Sequence, residues 1–129
     1  MWNLSPPVAL ALILSGCSDG CATTPVVSHS SPDRRHYALV FERSCGATTD
    51  YSTQVSIVRE SEQPTGVANT FVADTDHGVA KAGGWGGPWA DVSWVSASEV
   101  AIRYAAKARI FKRAEDVDGV HIAYREVTP

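Results

Sequence analysis

Three groups of residues in this chain carry reactive chemistry: the cysteines, a carboxylate–imidazole run, and a hydroxyl-rich segment. The cysteines are Cys17, Cys21 and Cys45. A cysteine nucleophile needs a positioned base and an electropositive setting. Arg43 lies two residues from Cys45, and His36, His77 and His121 are the candidate bases, but no histidine stands at a telling spacing. A Cys21–Cys45 disulfide is the competing and preferred expectation. Export to an oxidising compartment would permit it, and closing a loop of this length contributes roughly 3–4 kcal/mol in the chain-entropy model. Asp74-Thr75-Asp76-His77-Gly78 places two carboxylates and an imidazole together. Asp74, Asp76 and His77 are therefore the candidate metal ligands. The spacing lacks the distant glutamate of a calcium loop, and a zinc site would need further ligands. A turn after Phe71-Val72-Ala73 calls for the same residue types, so no metal or other cofactor is expected. Ser44, Thr48 and Thr49 flank Cys45-Gly46 without a Gly-x-Ser-x-Gly elbow. Such hydroxyls usually bond their own backbone. No catalytic residue is assigned.

Gly83-Gly84-Trp85-Gly86-Gly87-Pro88-Trp89 is a loop by composition. It lacks the Lys-Ser/Thr ending of a phosphate-binding loop. Trp85 and Trp89 either stack on a sugar or peptide, or fold back to cap a small core. Capping suits a domain with few other large side chains, yet this loop is the foremost candidate for a ligand contact.

The cysteines also bear on location. Leu14-Ser15-Gly16-Cys17, closing the apolar run Val8–Leu14, resembles a bacterial lipobox. The resemblance implies that residues 1–16 are a signal peptide and that Cys17 is the lipidated first residue of the mature chain. Two or three acyl chains anchor far more firmly than one, each buried methylene adding about 0.8 kcal/mol. The apolar run is too short for a spanning helix, which needs roughly 20 residues. The segment before it carries no Lys or Arg, unlike an ordinary export signal. The expected location is the bacterial cell envelope, with the chain held on a membrane through Cys17 and facing the periplasm or the exterior.

These groups must be positioned by whatever folds after the leader. Residues 17–32 are rich in Ser, Thr, Pro, Asp and Gly and read as a flexible tether. Residues 33–129 suffice for one small domain. A period of two dominates them: Tyr37, Leu39 and Phe41 alternate, as do Val55 and Ile57, Val92 and Trp94, Val100, Ile102 and Tyr104, and Val120, Ile122 and Tyr124. Phe71-Val72 and the stretch Ala108–Arg113 add two more strands. Asp118-Gly119 marks a tight hairpin. The expectation is an all-β domain, a small antiparallel meander of about seven strands in a curled sheet or sandwich. A net charge of −3 spread over mixed signs argues against a nucleic-acid partner, which would need a concentrated basic face. The densest basic stretch, Lys107 to Arg113, runs straight into Glu115, Asp116 and Asp118 and reads as a solvated strand face.

The segments Ala38-Leu39-Val40-Phe41-Glu42-Arg43-x-Cys45-Gly46-Ala47-Thr48-Thr49 and Ser52-Thr53-Gln54-Val55-Ser56-Ile57 resemble a group of short bacterial exported proteins. That resemblance implies an exported small domain and carries no catalytic residue. Ser31-Pro32-Asp33 is similar to the strand openings of TolB-type propeller blades, with Arg34 in place of their glycine. It implies blade-like meander geometry at most. The function expected from all of this is a membrane-tethered binding or structural module whose partner is an envelope protein or glycan. The alternative is a small envelope hydrolase using Cys45 with a histidine base.

Overall fold

A computed structural model of the chain describes residues 20–46 and 50–129. The leader expected over 1–16, Cys17 itself, and Thr48 and Thr49 lie outside those residues. Nine strands follow in order: β1 (Ala22–Ser30), β2 (His36–Ser44), β3 (Ser52–Arg59), β4 (Phe71–Asp74), β5 (Ala90–Ser96), β6 (Glu99–Ala105), β7 (Arg109–Arg113), β8 (Asp116–Val117) and β9 (Val120–Val127). Among the described residues there is no helix. The domain is all-β, as its alternation requires.

The strands form two sheets, ordered β1-β2-β3-β4-β7 and β5-β6-β9-β8. Both contribute to one core: Ala38, Val40, Val55, Ile57 and Phe71 from the first, with Val92, Val100, Ile102, Tyr104 and Ile122 from the second. A sandwich is the result. Phe71 is fully buried at its centre, with its ring centroid 5.3 Å from Tyr104 and 5.9 Å from Tyr124. Tyr124 closes one flank by donating its hydroxyl to the Ala114 carbonyl at 2.6 Å, with the Thr70 carbonyl at 3.2 Å. Burial pushes that phenol's pKa up to about 12.

The alternation in β2 serves two layers. Ala38 and Val40 face the main core, while Leu39 and Phe41 form a second cluster with Ala68 and Val72 on the outer face. The segment leading into β4 covers that outer face through specific bonds. Gln54 accepts from the Ala68 N–H at 2.9 Å, and Ser56 Oγ accepts from the Asn69 N–H at 3.2 Å. The Asn69 side chain both accepts from the Ile57 N–H and donates to the Ile57 carbonyl. Its amide thus replaces a strand residue where β4 has not yet begun, which satisfies backbone groups that would otherwise be buried unpaired.

Two expectations need correction. A simple antiparallel meander is not formed: β7 returns to pair with β4, and β6 pairs with β9 in parallel. Residues 17–32 are not a tether throughout, because Ala22–Ser30 pairs with β2 from Ala22↔Ser44 to Ser30↔Tyr37. That strand is exposed along almost its whole length, so it shows no burial alternation to read. Backbone bonds hold it, and Pro25 and the bulge beside it are tolerated because β1 is an edge. The Asp118-Gly119 hairpin forms as its sequence requires, with φ of 50° and 81°.

Candidate functional site

The register aligns one row of residues across the first sheet: Thr23, Arg43, Ser52, Asp74 and Arg109 lie on consecutive strands. This row marks one end of the sandwich, and Cys21 and Cys45 are disulfide-bonded just beyond it. The expected bridge is therefore formed. It ties the start of β1 to the end of β2 and leaves Cys45 without a thiol.

The expected metal ligands lie at the same end, but they serve a different arrangement. Asp74, only 5% exposed, accepts two bonds from Arg109, from Nε at 3.0 Å and Nη2 at 2.7 Å. Burial alone would raise the Asp74 pKa, but the Arg109 bonds and the Asp76 N–H outweigh it and hold the carboxyl below its ordinary value. Arg109 also reaches Asp76 at 3.6 Å and Asp50 at 4.0 Å. The turn that carries His77 is fixed by capping of consecutive backbone donors. Asp74 accepts from the Asp76 N–H, Asp50 from the His77 N–H, and Thr75 Oγ1 from the Gly78 N–H, each at 2.9 Å. Asp76 and His77 both take left-handed φ, 55° and 59°, a conformation that costs energy for any residue with a Cβ. The three caps hold it in place. His77 Nδ1 stands 3.7 Å from Asp50, and its side chain is largely exposed. Among the described residues, no group of three His, Cys, Asp or Glu side chains is arranged to hold a metal ion.

A cleft of about 390 Å³ opens here, floored by Val72 and walled by Asp50, Ser52, Asp74, His77, Arg109 and Phe111. Phe111 is the bulged residue between Ile110 and Lys112. It is 61% exposed, and the Arg109 guanidinium lies 5.4 Å from its ring centre. Arg109 and Phe111 thus define the cleft, although the basic stretch containing them reads in sequence as a solvated face. Three carboxylates face one guanidinium, so the cleft opposes anions by simple Coulomb repulsion. The Ser52 hydroxyl donates to the Arg43 carbonyl at 3.1 Å and accepts from Gln54. Its proton goes to the backbone, not to an imidazole. Among the described residues the cleft presents no activated nucleophile.

The glycine-rich loop packs beside this cleft. Trp85 donates its indole N–H to Thr53 Oγ1 at 2.8 Å, and Thr53 in turn donates to the Pro88 carbonyl at 2.7 Å. The Trp85 ring lies so close to Gly83 that a Cβ there would meet it at 2.5 Å. A Cβ on Gly87 would come within 2.9 Å of the Thr53 backbone nitrogen and closer still to its hydroxyl. These glycines permit close approach, and the loop is packed down. Trp89 is half-buried, with Arg103 5.5 Å from its ring centre. Trp85 has the geometry of a cap.

The opposite end holds a cluster that spacing does not reveal. Asp118, at the hairpin tip of the second sheet, accepts from Arg59 Nε and Nη2 at 2.8 Å each and pairs with His36 Nε2 at 2.8 Å. His36 and Arg59 belong to the first sheet, so the cluster clasps the sheets together. The Arg59 bonds first, and His36 second, hold the Asp118 carboxyl well below the usual carboxylate range. No family model, curated protein or solved structure matches the chain.

Proposed function

We propose that this protein is a lipid-tethered module of the bacterial envelope that binds or holds a partner and does not turn over a substrate. The observation that carries the reading is the Cys21–Cys45 disulfide. Structural disulfides persist in exported proteins and are rare in reducing compartments, in agreement with the leader and lipobox that end at Cys17. The same bond withholds the sulfur a Cys45 hydrolase would need. The partner is an envelope protein or glycan, met at the cleft lined by Asp50, His77, Arg109 and Phe111.

The test is the fate of the whole chain on cell fractionation. The unaltered protein is expected in the membrane, entering the detergent phase on extraction. Cys17→Ala is expected to lose the acyl chains and leave the detergent phase. Identical partitioning of the two proteins would overturn the tether.

A further inference from the structure

The bridge fixes which end of the domain is nearest the lipid. Three residues separate Cys17 from Cys21, a reach of at most about 14 Å. Cys21 is fastened to Cys45 at the end where β1, β3 and β7 begin and β2 and β4 finish. From there β1 runs nine residues away, roughly 30 Å, to the end bearing the His36–Asp118 clasp. The tether therefore cannot bring the clasp end to the bilayer while the domain stands upright.

The two ends also differ in what they expose. Tyr51 (51%), Val79 (59%) and Phe111 (61%) cluster at or near the bridged end. Lys81 and Lys107 stand exposed on its loops. The clasp end exposes Val67 (55%) and Val95 (62%), with Arg34, Arg35, Arg59 and Glu60 around Asp118, but among the described residues no aromatic ring comparable to Tyr51 or Phe111. Exposed aromatic rings suit a headgroup layer, where they meet the acyl boundary, and Lys81 and Lys107 offset part of the repulsion between lipid phosphates and the Asp50, Asp74 and Asp76 carboxylates.

We propose that the bridged end is the face this domain lays on the membrane surface, with Tyr51, Val79 and Phe111 as its lipid contacts. The proposal rests on the lipid tether at Cys17. It orients the module: the Asp50–Arg109 cleft opens beside the bilayer, within reach of groups displayed at the lipid surface, and the clasp end points away.

The experiment uses the full chain, expressed and lipidated in bacteria, then reconstituted into vesicles with or without brominated acyl chains. Phe111→Trp and Val79→Trp report on the bridged end, and Val95→Trp, 62% exposed near the far end of β5, reports on the other. Flotation of the vesicles is scored first. Co-flotation, with bromolipid quenching the added emission of Phe111→Trp and Val79→Trp about twofold or more above that of Val95→Trp, is the expected result. Co-flotation with equal quenching, or with Val95→Trp quenched more, overturns the orientation while leaving the tether intact. Protein that stays at the bottom of the gradient removes the tether, and the orientation with it.

Discussion

The two ends of the sandwich are held by different physics. At one, a covalent bridge joins β1 to β2, and close-packed glycines let Trp85 and Thr53 seal the edge of the core. At the other, the sheets meet through Asp118, Arg59 and His36, groups that water and protons reach. Among the described residues, each end leaves one buried side-chain polar atom without a hydrogen-bond partner, Glu42 Oε2 near the bridge and His36 Nδ1 at the clasp. Covalent closure and packing are indifferent to pH, whereas a charge cluster is not. The bridged end also carries an ion pair that acid would break, Asp74–Arg109, but its covalent closure survives protonation, whereas the clasp depends on its charges.

Removing the bridge should give the largest effect. Cys21→Ser with Cys45→Ser is expected to cost roughly 3–4 kcal/mol by urea unfolding, a large share of the stability of a small domain. A loss below about 1 kcal/mol would show that β1 and the packed loop hold this end without it.

Glycine substitutions sharpen the packing half of the contrast. Gly87→Ala forces a Cβ against Thr53 and is expected to destabilise by about 1–3 kcal/mol. Gly84→Ala meets nothing within 4 Å and is expected to be close to neutral. Equal effects on the midpoint of unfolding would mean that the loop is not packed as described. Trp85→Phe removes the indole donor to Thr53 and should cost about 1 kcal/mol, with its emission lost from a partly buried site.

The smallest effect at neutral pH belongs to the clasp. Asp118 titrates below its unfolded value, so its contribution is present above the ordinary carboxylate pKa and is lost as pH falls through the folded one. Asp118→Asn should therefore lower stability modestly at pH 7. It should also flatten the decline that the unaltered protein shows on acidification below about pH 4. Parallel acid profiles for the two proteins would remove the clasp from the account.

Five of the nine described strands are legible from alternation, and β4 and β7 from short runs bounded by turn residues. β1 is not legible, since a strand exposed along its length needs no such pattern; Cys21 at its head is the one residue that hints it is fastened. The pairings of β4 with β7 and β6 with β9 join segments far apart in the chain, and periodicity is a local signal. The disulfide was legible from cysteine number and export. Asp74, Asp76 and His77 were legible as a polar turn, but Arg109, 35 residues beyond Asp74, was hidden among basic residues on a strand. The clasp was hidden for the same reason, with 82 residues between His36 and Asp118. In Gly83–Gly87, composition shows a loop, while the close contacts that need the glycines emerge only when Thr53, Tyr51 and Trp85 are brought against them.

The most direct measurement is the intact mass of protein recovered from bacterial membranes, alkylated with and without prior reduction. The expected mass is that of residues 17–129 plus acyl chains, with two thiols alkylated only after reduction. An unlipidated mass with Cys45 alkylated without reductant would contradict both the tether and the bridge.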